Sequence, residues 1–221
     1  YGVDYNAPCV VTGKTDPVKA YSSLKREGFR YLQFIPCLDP YEEERGGREF
    51  SLTPETYASF LIATFDLWYR DWKNGKYTSV RLFDDYVHML MGEPPSSCSV
   101  LGRCGGYIVV EADGSIYPCD FYVMDQWRMG HFSDFENVEK TFESPQMIKF
   151  LQEGRDIPEE CRACRWKGIC GGGCRRDRDY SASLGPNYFC SSFKKFFLHA
   201  APRLQEIARA ELYARRCNGP L

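Results

Sequence analysis

Four cysteines fall within fourteen residues: Cys161, Cys164, Cys170 and Cys174, spaced x2, x5 and x3 with Gly171, Gly172 and Gly173 in the last gap. Cys98, Cys104 and Cys119 upstream and Cys190 downstream bring the set to eight. Thiols this dense serve disulfides, zinc or iron–sulfur clusters. Eleven cysteines in all is an odd number, and no leader marks the chain for export, so disulfides are the weakest of the three. Structural zinc favours two CxxC knuckles, often with histidine. Only Cys161 and Cys164 have that spacing, and His88, His131 and His199 lie far from the cysteines in sequence. Eight thiolates make two sets of four, which is what two four-iron cubanes need. The three glycines would let the backbone wrap a bulky anionic group and aim its N–H groups at sulfur. Arg162, Arg165, Lys167, Arg175 and Arg176 stand among these cysteines. They could offset cluster charge or form an ordinary solvated face, and both readings stand.

One carboxylate draws attention beside the thiols. Asp120 directly follows Cys119 at the end of an expected hairpin, a fixed place from which a base could reach a substrate. The competing reading is a turn cap or a partner for an arginine. Of the remaining cysteines, Cys9 and Cys37 read as buried thiols and Cys217 as part of an exposed tail.

The elements that must position these groups follow from composition and pattern. The 221 residues are 43% hydrophobic and 15% aromatic, ample for one large or two small cores. With 28 Lys and Arg against 30 Asp and Glu, no global field draws the protein to nucleic acid or anionic membrane. No apolar run has transmembrane length, and the chain reads as intracellular. It begins at Tyr1 without Met, so an N-terminal part is expected to be missing.

Residues 5–12 and 30–36 read as strands around a helix from Asp16 to Gly28, with Val18, Tyr21 and Leu24 on one face. This βαβ pattern predicts parallel, largely buried strands, with chemistry at their carboxyl ends near Thr12 and Cys37. The acidic stretch 41–48 reads as a solvated loop. Thr53 and Pro54 open an amphipathic helix carrying Tyr57, Phe60, Leu61, Thr64, Phe65, Trp68 and Trp72, ending near Asn74 and Gly75. A second helix spans about 79–91 with Phe83, Tyr86, Val87, Leu90 and Met91 inward, and residues 92–97 form a linker at which we place the domain boundary. Beyond it, residues 107–117 read as a hairpin turned on Asp113 and Gly114. A helical pair follows near 136–153, carrying Val138, Phe142, Met147, Phe150 and Leu151. A last helix starts at Cys190 with Phe193, Phe196 and Phe197; Pro202 should break or restart it before Leu204, Ile207, Ala208 and Leu212.

The order Cys98-x5-Cys104, Gly114-x4-Cys119, Cys161-x2-Cys164-x5-Cys170-x3-Cys174 and Cys190 resembles the SPASM domain of radical SAM enzymes. Gln33 to Asp39, the run from Asp113 to Asp120 and the run from Cys170 to Asp177 look most like the anaerobic sulfatase-maturating enzymes. The resemblance covers essentially the whole chain. It implies an α/β plus α+β architecture: residues 1–92 as the C-terminal portion of a partial (β/α) radical SAM barrel, and residues 93–221 as a SPASM domain with two auxiliary [4Fe-4S] sites. Carried onto this sequence, one cluster takes Cys98, Cys104, Cys119 and Cys174 and the other Cys161, Cys164, Cys170 and Cys190. With all corners protein-ligated, both would carry electrons rather than bind substrate.

The resemblance also implies reductive cleavage of S-adenosylmethionine and oxidation of a sulfatase Cys or Ser to formylglycine, with Asp120 as base and Leu38 near the SAM adenine. Its partners would be an unfolded sulfatase segment and an electron carrier such as flavodoxin or ferredoxin, with a monomeric enzyme in the cytoplasm. The CxxxCxxC motif of the SAM-cleaving cluster is absent: Cys170-x3-Cys174 starts like one, but Asp177 stands where the third cysteine belongs. That cluster, most of the SAM pocket and turnover are therefore expected to need the missing N-terminal half. The alternatives are a thioether-forming SPASM maturase, a stand-alone electron-transfer module, and a zinc-stapled domain that binds protein or nucleic acid through the basic stretch 161–178.

Overall fold

The computed structural model describes residues 3–41, 43–178 and 185–218. In chain order its elements are β1 (Asn6–Val11), α1 (Pro17–Arg26), β2 (Tyr31–Pro36), α2 (Pro54–Lys73), β3 (Ser79–Val80), α3 (Arg81–Leu90) and α4 (Cys98–Leu101). They continue with β4 (Val109–Val110), β5 (Ser115–Tyr117), β6 (Gly130–His131), α5 (Val138–Thr141), α6 (Pro145–Glu153), α7 (Glu159–Arg162), α8 (Lys167–Cys170) and α9 (Cys190–Asn218). These fall into two compact units that interleave in sequence. One holds the chain up to Ser97, Arg165–Cys170 and the chain from Tyr188; the other holds Cys98–Cys164 and Gly171–Asn187.

The first unit is built on a βαβ crossover. Asp16 caps α1 by accepting from the Lys19 N–H at 3.0 Å, and Pro17 fits the first turn, where its missing N–H costs nothing. β1 and β2 pair in parallel, Asn6 opposite Tyr31 through Val11 opposite Pro36, as the pattern predicts. β2 also pairs in parallel with β3, Leu32 opposite Val80. Ser79 and Val80 are therefore strand rather than the start of the second helix, which begins at Arg81. A two-residue strand is too short to show an alternation in sequence. The strands are less buried than expected. β1 lies at the sheet edge and alternates, with Val11 buried and Val10 58% exposed. On α1, Tyr21 is buried but Val18 is exposed.

Thr53 caps α2, and the apolar stripe from Tyr57 to Trp68 is buried as read. Phe65 packs edge-on against Phe83 and Phe196, and the indole of Trp68 donates to the Thr78 carbonyl at 2.9 Å. α9 lies along α2 and α3 and places Phe196, Phe197, Leu204, Ile207 and Ala208 in this core, while Leu212 reaches the surface. Pro202 does not end it: α9 runs unbroken over 29 residues. Pro202 cannot donate to the Leu198 carbonyl, but packing against α2 on both sides of the proline holds the helix together. The expected linker at 92–97 is tethered at its end, because buried Asp85 accepts from the N–H groups of Ser96 (2.6 Å) and Ser97 (3.2 Å). Around the acidic loop, Glu42 lies outside the described residues and the described neighbours are mostly exposed. Asp39 beneath it is buried and accepts from Gly46 N–H and Ser51 Oγ.

The second unit carries an antiparallel sheet in the order β4-β5-β6, with α5 and α6 as the expected helical pair. Ile116, Met129 and Met147 form one small core against Ile108, Phe135, Phe142 and Leu151, whereas Val138 is exposed. No helix among the described residues is long and apolar enough to cross a membrane.

Candidate functional site

The hairpin of the second unit carries the site. Val109 opposes Tyr117 and Val110 opposes Ile116, and the Glu111 N–H reaches the Ser115 carbonyl at 2.9 Å. The turn is thus the three residues 112–114, with Gly114 at φ +83°. An added Cβ at Gly114 would enter the His131 ring, so glycine is demanded twice over. Asp113 accepts from the N–H and hydroxyl of Ser115, which hold its carboxyl below the ordinary 3.8. Following the register down the hairpin sets Tyr107 opposite Cys119.

Cys104 and Cys119 pack against one aromatic cluster, Tyr122, Trp127 and Phe150, whose rings meet edge-on at 5.0 to 6.3 Å. Burial pushes the Cys174 thiol up, the charge of Asp177 adds to it, and smaller effects from Cys104 and Cys119 place those two sulfurs within electrostatic reach. Burial likewise pushes the Cys119 thiol up to about 12. As thiols both would be protonated near neutrality, and a metal must displace those protons to bind. Two of the four sulfurs expected in the first set therefore pack on one small core, Cys174 lies within electrostatic reach of both, and the fourth, Cys98, opens α4 in the same unit.

Close backbone contact ties the segments together. Gly171 (φ +61°) lies on the turn that ends α4, where a Cβ would come 2.5 Å from the Val100 carbonyl oxygen and 2.7 Å from the Gly102 nitrogen. A Cβ on Gly102 (φ +69°) would strike the Gly171 backbone in return. Glycine at both positions lets the strand of chain that leads to Cys174 lie directly on the one that leads from Cys98 to Cys104.

Of the expected second set, Cys161 and Cys164 sit on and just after α7 in the second unit, and Cys170 and Cys190 belong to the first. No disulfide links any of the eleven cysteines. Among the described residues, no three His, Cys, Asp or Glu side chains converge tightly enough to hold a single metal ion. A cubane takes one thiolate at each of four corners, so its ligands surround a body rather than meet at a point. An all-thiolate donor set around a small aromatic core, with a glycine-lined approach, fits such a group.

The basic residues divide. Arg162 is exposed and pairs with Glu159 at 3.2 Å, and Lys167 is exposed, as a solvated face requires. Arg175, Arg176 and Arg178 are buried. Arg175 lies 4.8 to 5.1 Å from the Phe150, Tyr122 and Trp127 rings, donates to the Phe150 carbonyl at 3.1 Å and pairs with Glu153 at 2.7 Å. Arg178 donates to the carbonyls of Gly154 and Asp156. Arg175 and Arg178 anchor the segment after Cys174, a role that neither sequence reading foresaw.

Asp120 is exposed, and its Oδ1 accepts from the Tyr107 hydroxyl at 2.6 Å. The same hydroxyl lies 3.2 Å from the Cys119 sulfur, which is 3.4 Å from Asp120 Oδ1. Asp120 is therefore held by a tyrosine rather than by an arginine. Tyr107 is the residue that sequence reading missed: a turn on Asp113 and Gly114 alone faces Ile108 to Cys119, and only the observed three-residue turn sets Tyr107 there. Leu38 lies just past β2 and is half-buried. Cys9 and Cys37 are half-buried rather than buried, with burial raising both thiols, and Cys217 is exposed as expected.

Residues 98–165 match the family described as SPASM, an iron–sulfur cluster-binding domain. Along most of its length the chain is similar to anaerobic sulfatase-maturating enzymes. It is 44% identical over 212 residues to the cysteine-type enzyme of Clostridium perfringens (strain 13 / Type A), covering 94% of this chain and 57% of the relative. The cysteine-type enzyme of Clostridium novyi (strain NT) is 38% identical, and the serine-type enzyme of Bacteroides thetaiotaomicron 28% identical. A solved structure of native anSMEcpe with bound AdoMet and Kp18Cys peptide superposes with a TM-score of 0.89 at 43% identity, covering 94% of this chain and 58% of that one. The chain thus spans rather more than half the length of the relatives it matches.

Proposed function

We propose that these 221 residues are the C-terminal portion of a radical SAM oxidase that converts a sulfatase cysteine to formylglycine. The observation that carries the reading is an exposed carboxylate, Asp120, fixed beside a thiol of a four-cysteine set in a SPASM domain. The higher identity to cysteine-type relatives favours cysteine over serine as the oxidised residue. In this reading residues 1–92 are the end of a partial (β/α) barrel, with Leu38 toward the SAM adenine, and residues 93–221 are the SPASM portion. Its partners are an unfolded sulfatase segment and a flavodoxin- or ferredoxin-type carrier, for a monomer in the cytoplasm.

The residues divide the work. Cys98, Cys104, Cys119 and Cys174 hold one [4Fe-4S] cluster, and Cys161, Cys164, Cys170 and Cys190 the other. When bound, such clusters accept and pass on single electrons. The aromatic core under Cys104 and Cys119 and the Arg175 anchor beside Cys174 keep these ligands in place. Asp120, exposed and with Oδ1 fixed, receives the thiol proton of the substrate at a carboxylate oxygen.

Anaerobic reconstitution tests the ligand set. About eight irons and eight sulfides per chain are expected, with the iron roughly halved in Cys119→Ala. Tightly held zinc with no iron uptake would overturn the reading. In the full-length protein that contains these residues, Asp120→Asn should lower formylglycine formation on a sulfatase-derived peptide by about 10²- to 10⁴-fold while leaving iron content unchanged.

A further inference from the structure

A base that must meet a substrate proton needs one fixed orientation, and an exposed carboxylate on a short loop does not hold one by itself. Asp120 is exposed and starts a single turn of 3-10 helix, from Asp120 to Tyr122. Its χ angles are restrained from across the hairpin. The phenol of Tyr107, on the facing arm of the hairpin, ends 2.6 Å from Asp120 Oδ1 and 3.2 Å from Cys119 Sγ. Tyr107 lies two residues before β4, and the β4–β5 register carried down the hairpin sets it opposite Cys119. Its hydroxyl therefore joins the base to the cluster-side sulfur through a hydrogen-bonded hairpin.

We propose that Tyr107 is the positioning residue of this site: its hydroxyl occupies Oδ1 of Asp120 and turns the other carboxylate oxygen toward the substrate. This inference rests on the assignment of Asp120 as base. Only the hydroxyl is required. Tyr107 is 39% exposed, so phenylalanine fits the same place without a cavity and without an unpaired buried group.

The experiment compares Tyr107→Phe, Asp120→Asn and the double variant in the full-length protein, with a cysteine-containing sulfatase peptide as substrate. Tyr107→Phe should lower kcat by about 10- to 100-fold with KM, iron content and melting temperature unchanged, because the peptide binds as before and only the base is misaimed. The double variant should be no slower than Asp120→Asn, since the tyrosine acts through that carboxylate. If Asp120→Asn is slow but Tyr107→Phe keeps its kcat, or if the two losses multiply, the positioning role is overturned and the base stands. If Asp120→Asn itself retains full kcat, the base assignment fails, and the positioning role fails with it. A Tyr107→Phe variant that loses iron or melts lower would show a purely structural tyrosine.

Discussion

Substituting Gly171 by alanine tests the close contact between the two cysteine-bearing segments. An added Cβ would sit 2.5 Å from the Val100 carbonyl oxygen and 2.7 Å from the Gly102 nitrogen, where real Cβ atoms essentially never come nearer than 3.0 Å. Both obstacles are backbone, so no side chain can swing aside, and the segments must part by about 0.5 Å or more. Holding alanine at φ +61° adds roughly 1–2 kcal/mol of left-handed strain, and the overpacking roughly 1–3 kcal/mol more. A loss of roughly 2–5 kcal/mol lowers the melting temperature by roughly 4–20 °C for a chain of this size. Separation of the Cys174 segment from that of Cys98 and Cys104 should also reduce iron uptake toward one cluster's worth, about four per chain. Gly168→Ala is the matched control. Nothing lies within 4 Å of the place its new methyl would take, and it sits inside α8. There alanine should be neutral or stabilising by up to about 1 kcal/mol. Anaerobic thermal melts and iron assays on both variants decide the matter. If Gly171→Ala melts with the control and binds the same iron, the close approach does not hold the ligands together and the reasoning fails.

Arg175→Ala should destabilise the protein by roughly 3–5 kcal/mol, through lost charge-assisted bonds and ring contacts at a buried site, whereas exposed Arg162→Ala should stay within about 0.5 kcal/mol; paired denaturant titrations separate them. Asp85→Ala removes the acceptor of the Ser96 and Ser97 N–H groups and should cost roughly 2–4 kcal/mol, with faster limited proteolysis across residues 92–97. Asp113 is held below its ordinary 3.8 by Ser115, so its support for the hairpin is complete above that value and fades as pH falls through the lower folded value. Asp113→Asn should therefore flatten the acid limb of the stability profile, and an unchanged limb would show that the bond contributes nothing to the acid response.

Much of the fold is legible in local signals. Asp16, Thr53 and Pro54 mark helix starts, and the stripe from Tyr57 to Trp68 marks a buried face, because caps and 3.6-residue periodicity act over a few neighbours. The misreadings share a cause. Val18 looks like core by spacing, but a residue is buried only where another element covers it. Pro202 reads as a break until α2 and α3 are seen to support α9 from one side. Arg175 and Arg176 read as surface or charge offset, since a string of letters does not show the three aromatic rings, from distant positions, that surround Arg175.

By itself the sequence determined the chemistry available: eight thiols of one donor type, a carboxylate adjoining one of them, and glycines dense enough for a tight wrap. Those are properties of residue type and short spacing. Only the tertiary structure decided which groups meet. Asp113 followed by Gly114 is compatible with a two-residue turn, which would set Ile108 opposite Cys119; the three-residue turn with Gly114 at φ +83° shifts the register by one and brings Tyr107 there instead. That single step of register exchanges an apolar neighbour for the hydroxyl that holds Asp120. The same holds for Gly171 and Gly102, far apart in the chain and in contact only because the folded backbone crosses there. Local conformation chooses among turns by small energy differences, and here the His131 ring packed against Gly114 leaves room for glycine alone at that position.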